Sequence, residues 1–89
     1  MDNKISVSEE SIRDISKKLN ILLDSVHSSV NMVKKSIDLA EMEGWTDRRF
    51  LIFREEFEQS ERFLKEGTQY IEDILLPEIK RIQAILEGY

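Results

Sequence analysis

Apolar residues recur along the first half of the chain at Ile12, Ile15, Leu19, Leu22, Leu23, Val26, Val30, Val33, Ile37 and Ala40. The spacings alternate between three and four, which keeps one face of a 3.6-residue helix apolar and predicts a helix over about residues 8–43. Ser8, followed by Glu9 and Glu10, reads as its N-cap with acids in the first turn, where the helix dipole favours them. Ser6 with Glu9 forms a competing capping box. A second run, Phe50, Phe53, Phe57, Ser60, Leu64, Gly67, Ile71 and Ile74, has the same rhythm and predicts a helix over about residues 48–87. That stripe then shifts to Leu75, Ile79, Ile82 and Leu86. Pro77 lacks the N–H that would bond to residue 73, so a kink is expected near it. Gly67-Thr68 is a second candidate break, a C-cap followed by an N-cap that would split the second half and give a three-helix bundle. The stripe keeps its phase through Gly67, which favours one helix.

Between the two runs lies Gly44-Trp45-Thr46-Asp47. Gly44 is placed to end the first helix in the left-handed conformation, and Asp47 to cap the second. Trp45, the single tryptophan, stands between them. The chain thus reads as one domain, residues 1–89, with a turn at 44–47. Two long helices joined by so short a turn must run antiparallel. Each predicted stripe is wider than a two-helix seam needs, because Leu22 adjoins Leu23, Phe63 adjoins Leu64 and Leu75 adjoins Leu76. The expected architecture is therefore an all-α antiparallel two-helix hairpin that dimerises into a four-helix bundle.

Composition agrees with this picture and narrows the chemistry. Apolar residues make up 40% and charged ones 35%, with one Pro and three Gly, a balance that suits amphipathic helices rather than a sheet. With 89 residues the hairpin buries little of its own surface, so self-association or a partner is the expected remedy. The net charge of −5 is spread evenly, with eight acids against six bases up to residue 43 and ten against seven beyond it. No clustered basic face offers itself to nucleic acid. The absence of cysteine excludes disulfides and thiolate metal sites. No run approaches the ~20 apolar residues of a membrane span, and the start Met1-Asp2-Asn3-Lys4 opens no apolar segment of the Sec-signal kind.

Candidate chemistry is correspondingly thin. The single histidine, His27, lies off the main stripe near Asn20 and Lys34 at helical spacing, and reads as a surface or boundary residue. A bundle di-metal site would need inward glutamates and a Glu-x-x-His motif, which Asp24 before His27 does not supply. Glu58 with Arg62 and Glu61 with Lys65 have the i,i+4 spacing of pairs on an exposed helix. Acid–base catalysis needs carboxylates in a shaped, partly desolvated cleft, and a hairpin of long helices is not expected to offer one. No enzyme activity, metal or cofactor is expected. Phe50, Phe53 and Phe57 are read as an aromatic core next to the turn.

The capped acidic helix start, the long helix, the Trp turn and an aromatic, Phe53, eight residues after Trp45 together resemble the WXG-motif family. These are the early-secreted-antigen-like helical hairpins of type VII secretion systems, and the resemblance covers nearly the whole chain. Ile5-Ser6-Val7-Ser8-Glu9-Glu10-Ser11-Ile12-Arg13 also resembles a common opening of its members. Asp47 stands where the family's Trp-x-Gly triplet has glycine, which places the chain in a divergent branch. The family's Tyr-x-x-x-Asp/Glu export motif finds no match, since Tyr70 is followed four residues later by Ile74 and Tyr89 is the last residue given. The resemblance implies a substrate, adaptor or chaperone-like partner that pairs with itself or with a related or larger helical protein, such as a toxin-like secretion cargo. Through that pairing it would meet the secretion ATPase. It also implies a bacterial protein found in the cytoplasm or secreted without a Sec-type signal. Gly44, Trp45, Asp47 and Phe53 would form the turn motif that a partner recognises. A cytosolic helical-bundle adaptor or structural subunit unrelated to secretion is the alternative.

Overall fold

The computed structural model describes the backbone of residues 3–88 and the side chains of residues 9–88. It is all-helical, with no strand among the described residues. Helix α1 spans Asn3–Met42 and α2 spans Arg48–Tyr70; a single π-helical turn, Ile71–Leu75, then leads without interruption into α3, Leu76–Glu87. The second half is thus one long rod with a bulge, folded back along α1. The molecule measures 64 × 17 × 16 Å. Its radius of gyration, 19.7 Å, far exceeds the ~12 Å of a compact domain of this length.

The start of α1 differs from the expectation. Ser8 lies inside the helix, five residues beyond Asn3, so it does not cap it. Residues 3–8 contain no Gly or Pro to stop a helix, and a cap contributes only about 1 kcal/mol, too little to hold the boundary against continued propagation. Gly67-Thr68 does not split the second half, because α2 runs through both residues. Thr68 satisfies its hydroxyl by donating to the Lys65 carbonyl at 3.0 Å.

The break in the apolar rhythm after Ile74 coincides with the π turn. There the Leu76 N–H donates to the Ile71 carbonyl, five residues back, which inserts one extra residue into the helix. The apolar stripe advances by that same residue. Pro77, in the first turn of α3, has no N–H to give to residue 73. The wider π turn absorbs both that missing bond and the bulk of the ring.

Only Leu23, Ile37 and Phe50 are buried apolar residues among those described. The line facing between the helices is Ile12, Leu19, Leu23, Val26, Val30 and Ile37 on α1. On the second half it is Phe50, Arg54, Phe57, Glu61, Thr68 and Ile71, all buried or half-buried. The expected second stripe is therefore rotated, because Arg54, Glu61 and Thr68 take seam positions in place of Phe53, Ser60, Gly67 and Ile74. Phe53 is not core in this hairpin: it is 47% exposed.

Candidate functional site: the turn and the uncovered flank

Helix α1 ends in a two-bond motif built on a left-handed glycine. Gly44 adopts φ 103°, its N–H donates to the Glu41 carbonyl at 3.0 Å, and the Trp45 N–H donates to the Ala40 carbonyl at 3.0 Å. Both bonds satisfy carbonyls that the helix end would otherwise leave open. Three residues on, Asp47 has extended backbone and its Oδ1 accepts the Phe50 N–H at 2.9 Å. The Leu51 N–H closes the first helical bond to the Asp47 carbonyl at 3.1 Å. The reversal therefore needs only the residues between these two caps.

Trp45 is carried on this turn with one face inward. Its ring centroid lies 4.7 Å from that of Phe50, tilted by 49°, within the range of favourable aromatic pairs. Phe50 is completely enclosed, whereas Trp45 keeps 47% of its surface exposed. The tryptophan thus covers the end of the core and also presents an aromatic surface to the outside. Replacing Asp47 by Ala is expected to cost about 1 kcal/mol through loss of the cap, whereas Asp47→Gly should cost only a few tenths. Denaturant melts of the two variants check this ordering.

The two sides of the inter-helix seam have opposite chemistry. On one side the helices are laced by charge. Arg54 Nη1 donates to both carboxylate oxygens of Glu41 at 2.8 Å, Lys34 Nζ donates to Glu61 at 3.0 Å, and His27 Nε2 lies 3.9 Å from a Glu72 oxygen. Glu61 therefore pairs across the hairpin and not with Lys65, and Glu58 approaches Arg54 at 3.7 Å. The hydrogen bond and charge of Glu61 raise the pKa of Lys34 above the ordinary 10.5, so its side of the pair is lost only as pH rises past that raised value. Pairs this open to solvent stabilise little each, but together they match the register of one helix against the other. His27 is exposed, and no group of three or more metal-binding side chains occurs among the described residues.

The opposite side carries no such pairs among the described residues. On α1 it presents Ile15, Leu22 and Val33, with Ser29 between Leu22 and Val33 and Ser36 just beyond. On the second half Phe53, Leu64 and Ile74 are separated by Ser60 and Gly67. The six large residues are all exposed, from 41% at Val33 to 48% at Ile74. These are the members of the expected core stripe that the hairpin itself does not bury. The sequence held a signal for this division: Glu41 with Arg54 and Lys34 with Glu61 are opposite charges at matching antiparallel positions, and they mark the seam's charged side.

No helix among the described residues is long and apolar enough to cross a membrane. No protein-family model matches the chain, and neither a curated protein nor a solved structure matches it significantly.

Proposed function

We propose that the chain is a non-enzymatic, secretion-associated helical hairpin of the type VII kind, a substrate, adaptor or chaperone-like partner that acts by packing against itself or another helical protein. The observation that supports this reading is the turn, where Trp45 stays half-exposed on a reversal held rigid by Gly44 and Asp47. A ring needed only to close the core would gain by deeper burial; this one is left available to a partner. Phe53, one helical turn beyond Phe50, is also half-exposed.

The test is export and partner capture in the native bacterium. Tagged protein should leave the cell in a manner that depends on the secretion ATPase, or should co-purify with a larger helical protein. Trp45→Ala should weaken that capture about tenfold or more while lowering the melting temperature only modestly. Equal loss of capture and folding would assign Trp45 a purely structural role. A stable oligomer that never leaves the cell and holds no larger partner would point instead to a cytosolic helical adaptor.

A further inference from the structure

Helix α2 carries an exposed apolar row that neither the seam nor the uncovered flank uses. Ile52, Phe63 and Tyr70 are 47%, 75% and 58% exposed. At 3.6 residues per turn they share one line, roughly 160° round α2 from the seam residues Arg54, Phe57 and Glu61. The same line is about a quarter turn from Phe53 and Leu64 on the flank. It follows residues 52, 56, 59, 63, 66 and 70, and this alternation of four and three is the spacing that keeps contact with a second helix. Its ends lie about 27 Å apart at 1.5 Å per residue. A shallow depression beside Phe63 is lined by Gln59, Arg62 and Glu66. Single exposed apolar side chains need no explanation, but three aligned along one helix face, two of them aromatic, form a contact line.

The charges round this row select its occupant. Glu55, Glu56, Glu66 and Asp73 stand on the same face against one base, Arg62. Asp73 accepts from Gln69 at 3.0 Å, and none of the ion pairs between described residues engages Glu55, Glu56 or Glu66. Glu56 and Glu66 lie in the row itself, so a helix laid along it would strip water from both. A carboxylate that loses its water in this way must gain a cation. Arg48, one turn before Ile52 on the same face, reverses the sign at the turn end. The back of α1 also exposes Ile21, Met32 and Leu39, but Lys17 and Lys35 there are mixed with Asp14 and Asp24, so its charge selects no partner.

We propose that this outward face of α2 docks an amphipathic helical segment of another protein, apolar along one stripe and rich in Lys or Arg beside it. The segment's basic stretch lies over residues 55–73 and not over the turn. Phe63 and Tyr70 are the anchors, aromatic residues of the kind enriched at protein interfaces. The surface is separate from Trp45, and the proposal is independent of secretion and of any pairing through the flank.

The test is a selection on the immobilised full chain from a displayed random library of helical peptides of about 20 residues, long enough to span the row. Enriched peptides should combine an apolar stripe with an excess of Lys and Arg. Phe63→Ala should weaken their binding tenfold or more, while Trp45→Ala and Leu64→Ala leave it unchanged. Glu56→Lys combined with Glu66→Lys should remove the preference for basic peptides. All the replaced side chains are exposed, and circular dichroism should confirm that each variant keeps its helix content. No enrichment, enrichment without a basic excess, or binding indifferent to Phe63→Ala would each overturn the proposal. Binding lost in Trp45→Ala but kept in Phe63→Ala would place the peptide at the turn and overturn it as well. So would a change of oligomeric state in Phe63→Ala by light scattering, which would show the face to be covered by another copy. Dependence of export on the ATPase bears on the secretion reading alone, so either reading can fail without the other.

Discussion

Phe50→Ala is expected to abolish the cooperative unfolding transition of the chain. Truncating a buried aromatic costs about 3–5 kcal/mol, the lost transfer energy plus the cavity left behind. Small domains have only about 5–15 kcal/mol in total, and this one has just three buried apolar residues among those described. Phe50 is the one with no exposed surface, and its ring also supports Trp45. Its loss therefore loosens the turn as well as the core. Phe53 is the matched control, three residues away and of identical volume. Phe53→Ala should cost no more than about 1 kcal/mol. Urea melts followed by circular dichroism measure both. Equal costs would mean that the second helix is rotated from the seam described above.

That contrast shows where the sequence was legible. Periodicity identifies which residues share a broad face, and the alternating three-and-four spacing located both long helices. It does not tell the centre of a wide face from its edge. Phe50, Phe53 and Phe57 fall within one apolar sector, yet the partner helix covers the first fully, the third partly and the second much less. The choice was made by Arg54 and Glu61, two polar residues that a hydrophobic pattern skips. Their partners Glu41 and Lys34 lie on the other helix, so the information was tertiary and only weakly visible along the chain. The phase shift at Leu75, by contrast, was fully written in the sequence. A kink at Pro77 was the obvious expectation; the π turn accounts for the proline and the displaced stripe together.

The candidate site divides in the same way. Gly44 and Asp47 were legible because each performs a local backbone task with a known residue preference. The exposure of Trp45 was not, since it depends on how far Phe50 fills the space beneath it. The start of α1 was misplaced for the converse reason: Ser8 with Glu9 and Glu10 is a sound local signal, but a weak one beside an upstream segment with nothing to stop a helix. In this chain local capping signals decided the boundaries at the turn, where Gly44 ends α1 and Asp47 starts α2.

Gly44 is therefore the second position at which one substitution should have a large effect. Its φ of 103° lies where L side chains are rarely found, yet an added Cβ would meet no atom within 4 Å. Any penalty must then come from the backbone alone, free of steric clash with neighbours. Gly44→Val is expected to cost about 1–3 kcal/mol, because a β-branched residue resists positive φ most strongly. Asn, which tolerates the left-handed region better, should cost clearly less. The damage has a particular form. Without the left-handed residue the Gly44–Glu41 and Trp45–Ala40 bonds lose their geometry, so α1 frays or runs on past residue 43 and Trp45 swings away from Phe50. Tryptophan fluorescence reads this directly, since Trp45 is the only indole in the chain. Gly44→Val should give a more solvent-exposed spectrum at temperatures below its lowered melting point, while the helical signal persists. If the spectrum stays native up to the melt, the reversal does not depend on Gly44, and the turn is held instead by the Asp47 cap and the Trp45–Phe50 contact.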